Sequence, residues 1–150
     1  MGTKIYTDKL NDPRFVKFIQ KHHVMTVSTS SHDQPWCAAC FYAFNSKIGA
    51  FVFTSDDSTR HISEILTNER VAANIILETK LIGIIQGLQI SGIVERIDNE
   101  KMRELQLSYV KKFPFAILAN TSLWALYPNS LKLTDNKLGF GTKLIWQKDL

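Results

Sequence analysis

The sequence predicts an α+β fold that is mostly β: a small antiparallel barrel of five or six strands with three short helices at its periphery. Three observations lead there. The apolar runs are short, rich in β-branched and aromatic residues, and separated by tight turns, whereas parallel neighbours would need crossovers of a dozen residues or more. Helical periodicity appears only in brief segments, so no strand–helix–strand alternation builds a parallel sheet. One long strand pattern, residues 82–97, contains Gly83, Gly87 and Gly92, and glycines inside a strand mark bulges, sharp barrel corners or a close backbone approach.

The elements follow in order. Asp12-Pro13 suits a helix start, and Phe15, Phe18, Ile19 and His22 fall at helical spacing, giving a helix over about 12–21. Residues 24–29 alternate as a strand, and 30–35 carry turn chemistry. Residues 36–44 form a second strand, 45–49 a turn and 49–54 a third strand. A cluster of helix-capping residues, Ser55-Asp-Asp-Ser-Thr59, precedes Ile62, Ile65 and Leu66 at helical spacing, a helix ending near Asn68. Strands are expected at 71–77 and 82–97. A helix after Asp98-Asn99 places Met102, Leu105, Tyr109 and Phe113 on one face, and a last strand falls at about 122–133.

Composition narrows the function. The chain has 150 residues, 45% hydrophobic and 21% charged, which is the balance of one compact soluble domain over residues 1–150. A chain of this size buries roughly 68–70% of its unfolded surface and needs no disulfide or metal staple. Eighteen Lys and Arg against fourteen Asp and Glu give a net charge of +4. That surplus suits a small anionic ligand, but it is too small and scattered for a nucleic-acid footprint. No apolar run reaches the ~20 residues of a membrane span. With no export signal and only two cysteines, the expected compartment is the cytoplasm, with free thiols.

Several local patterns resemble sites and are set aside on physical grounds. Trp36-Cys37-Ala38-Ala39-Cys40 has the spacing of a redox pair, but Phe41, Tyr42 and Phe44 extend it as a strand, and residues three apart on a strand point to opposite faces. No second cysteine pair completes a zinc site. The adjacent His22 and His23 cannot chelate one metal like an i, i+4 pair, and His32 sits in a turn. Gly139-Phe140-Gly141 lacks the third glycine and the context of a dinucleotide fingerprint. No residue presents itself as a general acid or base.

The most informative segment runs from Phe51 to His61. It gathers Thr54, Ser55, Ser58, Thr59 and Arg60 where a strand hands over to a helix. A helix N-terminus offers unpaired N–H groups and partial positive charge, both suited to a phosphate, and a guanidinium adds charge-assisted bonds. The plainer alternative is that Ser58 or Thr59 caps the helix and Arg60 is solvated.

Gln34-Pro35 with Ala38-Ala39, then Phe53-Thr54-Ser55 and Ser58-Thr59-Arg60, then Gln86-Gly87-Leu88-Gln89-Ile90-Ser91-Gly92 resemble the pyridoxamine-phosphate-oxidase-like FMN-binding split barrels over about residues 22–97. The run Lys132-Leu-Thr-Asp-Asn-Lys-Leu-Gly-Phe-Gly-Thr-Lys-Leu-Ile-Trp146, with Trp36-Cys37-Ala38, resembles the YhbP-like family of that superfamily. The resemblance implies a six-stranded antiparallel split barrel with peripheral helices, working as a homodimer with FMN at the subunit interface and acting as an oxidoreductase on an unidentified small molecule. Ser58 and Arg60 match the Ser-x-Lys phosphate grip, with Arg in place of Lys, and Thr59 lies between them. Ala38, Ala39, Cys40 and Phe41 would run beside the flavin ring, and Phe53, Thr54 and Ser55 match the end of the third strand. Gln86 or Gln89 would present an amide to the flavin, although a glycine stands at the aligned position. The second-strand arginine of true pyridoxamine-phosphate oxidases is replaced by Ala38 or Ala39, which implies weaker FMN retention. Trp124, Phe140 and Trp146 are candidates to close the cleft, with core packing or dimer contact as the alternative role. Two other readings stay open: a flavin-binding module without turnover, and a haem-binding split barrel with His22, His23 or His61 as axial candidates.

Overall fold

The computed structural model describes residues 2–98, 102–118 and 121–149. In chain order it contains β1 (Lys4–Tyr6), α1 (Pro13–Lys21), β2 (Val24–Ser31), β3 (Gln34–Asn45), β4 (Ala50–Ser55), α2 (Arg60–Thr67), β5 (Arg70–Ile76), β6 (Gln86–Arg96), α3 (Arg103–Lys112), β7 (Ser122–Asp135) and β8 (Lys143–Gln147). The sheet runs β1-β8-β7-β4-β3-β2-β5-β6, and β6 pairs again with β7. That last pairing closes β7-β4-β3-β2-β5-β6 into a six-stranded antiparallel barrel. The second half of β7 stays paired with β6 and takes β8 in place of β4 on its other edge, and β8 carries β1 in parallel.

The pleat decides what is inside. Met25, Val27 and Thr29 on β2, Phe51, Phe53 and Ser55 on β4, and Val71, Ala73 and Ile75 on β5 alternate inward and are buried. They meet Leu88, Ile90, Val94, Trp124, Leu126, Leu131 and Leu133 in one continuous core. A second, smaller cluster lies outside the barrel, where Leu105 and Tyr109 of α3 cover Ala43, Val52 and Ala125. Trp124 and Trp146 are therefore both buried, whereas Phe140 is exposed.

Two helices plug opposite ends. The Asp12 carboxylate caps α1 by accepting from the Arg14 backbone N–H at 3.0 Å. Phe15, Phe18 and Ile19 face the core, and the Tyr42 hydroxyl donates to the Ile19 carbonyl at 2.5 Å. At the far end of β2, α2 is tied by Thr29 Oγ1 to Glu64 at 2.5 Å and by Asn68 Nδ2 to the Ser30 carbonyl at 3.1 Å. No helix among the described residues is long and apolar enough to cross a membrane.

Three sequence expectations change. The turn expected over 30–35 shrinks to His32 and Asp33, both at positive φ (51° and 59°), the two-residue hairpin geometry that matches strand twist. Residues 82–84 form a 3₁₀ turn rather than strand. Strand β5 ends at Ile76 and gives that stretch no strand neighbour; instead the Asn136 amide donates to the Ile82 carbonyl and the Asn136 backbone N–H to that of Ile85. The strands β1 and β8 were not anticipated. The expectation that a strand glycine marks a bulge holds at Gly92. The β6–β7 register shifts between Ser91 and Gly92, and a Cβ there would meet the Tyr127 carbonyl oxygen at 2.2 Å.

Candidate functional site

The junction of β4 and α2 is built around an exposed loop. Asp56 accepts from the backbone N–H of Ser58 at 2.7 Å and from its hydroxyl at 2.6 Å. The Thr59 hydroxyl donates to the Asp56 carbonyl at 2.8 Å. Thr59 is the N-cap residue, yet its side chain makes no capping bond. The first recorded backbone bond into the helix is from Ser63 N–H to the Thr59 carbonyl. Among the described residues, the N–H groups of Arg60, His61 and Ile62 are thus left without partners. The capping role expected of Ser58 or Thr59 is not taken, and the helix end keeps its orphan donors and partial positive charge.

Arg60 is exposed, its side chain 47% accessible, but held on two sides. Its guanidinium lies 4.2 Å from the centroid of the Trp36 ring, and its Nε donates to Glu64 Oε1 at 3.0 Å. Hydrogen bonds from Thr29 and Arg60 hold the Glu64 carboxyl below the usual carboxylate range. Behind them, Ser55 Oγ lies 2.6 Å from His61 Nε2. Burial lowers the His61 pKa, partly offset by the Glu64 charge, so the neutral imidazole is favoured there. On the other flank, Asp57 is paired with Arg96, which also donates to Ser122 at 2.6 Å and lies over the Trp124 ring. The nearer carboxylate, Asp56, is satisfied by Ser58 and is not in an ion pair among the described residues.

The expected site residues fall in five places. Ser55, Ser58, Thr59 and Arg60 come together at this junction. Cys40 and Phe53 face the barrel core, and Ala38 packs against it, so these three offer a surface ligand only their backbone. Burial pushes the Cys40 thiol up to about 11 while Cys37 is exposed, which places the two sulfurs on opposite faces as the strand reading required. Thr54 lies under α3, 3.2 Å from the Tyr109 hydroxyl. Ala39 and Phe41 are exposed on the outer face of β3. Gln89 shares that outer face, in the row Ala39–Thr26–Asn74–Gln89 across β3, β2, β5 and β6. Gln86 is elsewhere. It sits at the α1 end of the barrel, its Nε2 bonded to Asp135 at 2.8 Å, and does not meet Arg60.

Sequence reasoning missed Trp36 and Glu64 as partners of Arg60. Glu64 had a local signal, four residues after Arg60 on one helix face. Trp36 had none, since only the fold brings the start of β3 over α2.

With this geometry in hand, comparison with known proteins places the chain. The family model for pyridoxamine 5'-phosphate oxidase matches residues 12–129. The chain belongs to the pyridoxamine 5'-phosphate oxidase family. Within it, the chain is 39% identical over 132 residues to a UPF0306 protein of Photorhabdus laumondii, covering 88% of this chain and 92% of that one. It is 35% identical to a UPF0306 protein of Klebsiella pneumoniae over 89% of this chain and 90% of the relative. Solved structures share the fold at lower identity. A heme binding protein of Mycobacterium smegmatis superposes with a TM-score of 0.74 at 15% identity, covering 95% of this chain and 60% of that one. HutZ, the heme storage protein of Vibrio cholerae, gives 0.65 at 17%, over 80% and 90%. A FAD-binding protein of Mesorhizobium loti gives 0.65 at 14%, over 81% and 90%. At these identities the likeness speaks for the split barrel alone.

Proposed function

We propose that the protein is an FMN-binding flavoprotein, a homodimeric oxidoreductase acting on a small molecule. The observation that carries this reading is the uncapped start of α2, whose orphan N–H groups lie beside an arginine already held by Trp36. A phosphate monoester is the ligand class that such an end accepts best. The flavin supplies hydride transfer when bound. The chain's own residues bind and orient it: Arg60, Ser58, Thr59 and the α2 N–H groups at the phosphate, with Ala39 and Phe41 on the adjoining strand face. Asp56 opposes an anion there, and the missing second-strand arginine removes a further cation, so retention is expected to be weak.

The outer face of β3, β2, β5 and β6 supports the dimer. Its rows Ala39–Thr26–Asn74–Gln89 and Cys37–Ser28–Ala72–Ser91 carry no charge. Phe41, Val24 and Ile76 continue it, 58%, 44% and 58% exposed. Apart from Arg70 at one end of β5, the face is uncharged and carries large exposed apolar residues, which is what a second copy covers.

The test is an absorbance spectrum of the purified protein, taken as isolated and again at equilibrium with FMN across a dialysis membrane. Flavin bands near one per chain, lost in Arg60→Ala, are expected. A wild-type protein that holds no flavin overturns the reading. A haem band in its place would support the haem reading, for which two of the three histidine candidates are poorly disposed: His61 is bonded to Ser55, and His22 packs on Phe18 with its Nε2 buried, while His23 is exposed. Anaerobic reduction by NADH or NADPH separates an enzyme from a module without turnover.

A further inference from the structure

At the α1 end of the barrel, away from the β4–α2 junction, there is a cavity of about 370 Å³. Arg14, Lys17, Phe18 and Lys21 of α1 form one wall; Gln86, Asp135, Lys137 and Leu138 form the other. That volume lies within the range of small-molecule sites. Its chemistry is lopsided. Four of the lining residues are cations and one is an anion.

The hydrogen bonds sharpen that imbalance. Arg14 is neutralised by Asp12, to which its Nε and Nη2 donate at 2.9 and 2.7 Å. Asp135 has both oxygens engaged, one by Gln86 Nε2 at 2.8 Å and the other by the Lys137 backbone N–H at 2.9 Å. Lys17, Lys21 and Lys137 are in no ion pair among the described residues. Three ammonium groups therefore border one cavity against a single carboxylate that none of them reaches. Phe18 and Leu138 supply apolar surface between them, and Leu138 is 51% exposed, an apolar side chain left without cover. Like charges brought together repel, and a bound anion relieves that repulsion.

We propose that this cavity binds a small organic anion, a phosphate or carboxylate group carried on an apolar body, with Lys17, Lys21 and Lys137 at the charged end and Phe18 and Leu138 against the apolar one. Gln86, pinned by Asp135, presents the remainder of its amide to the same space. The site is independent of the flavin reading, since none of its lining residues belongs to the β4–α2 junction.

The experiment is calorimetric titration of the full-length protein with three probes: phenyl phosphate, benzoate, and benzyl alcohol as the uncharged counterpart. Saturable binding of at least one anion is expected, with benzyl alcohol weaker by about tenfold or more, the worth of a charge-assisted contact. The stronger anion identifies the head group. Lys17→Gln/Lys21→Gln, two exposed positions on α1, should weaken that anion about tenfold or more without moving the thermal midpoint of the ligand-free protein. Arg60→Ala should leave this lysine-dependent binding unchanged and remove only phenyl phosphate bound at the start of α2. The proposal is overturned if neither anion saturates at millimolar concentration, if benzyl alcohol binds equally well, or if binding survives undiminished when the two lysine substitutions are combined with Arg60→Ala. Binding lost in Arg60→Ala and kept in the lysine variant would assign the anion to α2 and likewise end the proposal. Loss of flavin retention with anion binding intact would strike only the flavin reading.

Discussion

Arg60 and Trp36 stand 4.2 Å apart, guanidinium to ring centroid, although one opens α2 and the other lies near the start of β3. The contact orients the cation before any ligand arrives, so less side-chain entropy is lost on binding. Trp36→Ala is expected to weaken FMN binding by about 0.5–2 kcal/mol, with Trp36→Phe in between. Flavin fluorescence titration measures both, and an unaltered affinity in Trp36→Ala would remove the stack from the site.

Glu64 competes with a phosphate for the same guanidinium. Glu64→Gln keeps a partner for Thr29 while removing the charge, so FMN affinity should rise. A fall in affinity would mean that the carboxylate positions Arg60 rather than restrains it.

Stability should depend on pH through two imidazoles. Burial lowers the pKa of His61, and burial with the charges of Lys21, His23 and Lys112 lowers that of His22, both from 6.5. Between the folded and unfolded values the unfolded chain binds more protons. Their contribution is therefore complete above about 6.5, and stability falls as the pH drops below that value. Chemical denaturation between pH 8 and pH 5 should show the decline, and His61→Gln should flatten part of it. An equally steep curve in that variant would show that His61 titrates as it does in the unfolded chain.

Gly92→Ala should destabilise the fold by about 1–3 kcal/mol or more, as overpacking does, because its Cβ would strike the Tyr127 carbonyl at 2.2 Å and Pro128 Cα at 2.9 Å. Gly87→Ala is the control. Its nearest neighbours are 3.9 Å away, so little change is expected in the same urea titration.

Asp12→Ala should cost about 0.5–2 kcal/mol by uncapping α1. The Arg14 guanidinium beside it holds the Asp12 carboxyl down to about 2. The wild-type contribution is present above the ordinary carboxylate range and is lost as pH falls toward 2, whereas Asp12→Ala should lack that acid limb.

The barrel strands were legible because alternation such as Met25, Val27 and Thr29 survives in a sheet with one buried face. β1 and β8 were not. Three residues paired in parallel with a strand far along the chain leave no periodic trace. At the candidate site, Ser58, Thr59 and Arg60 were legible because their chemistry is local to one junction. Gln86 is one of two glutamines the resemblance offers to the flavin, and its position opposite Asp135 puts it at the α1 end of the barrel. Phe53 and Cys40 were read by position along the strand, whereas pleat parity turns their side chains inward.

The pairing of β1 with β8 joins Lys4 to Lys143 and Tyr6 to Ile145, contacts that span nearly the whole chain. Such closure is slow, because the loop entropy must be overcome before any bond rewards it. Among the described strands, β1 has β8 as its sole partner. The barrel must then assemble first and this edge dock last, making β1 the first strand to exchange its amide protons with solvent.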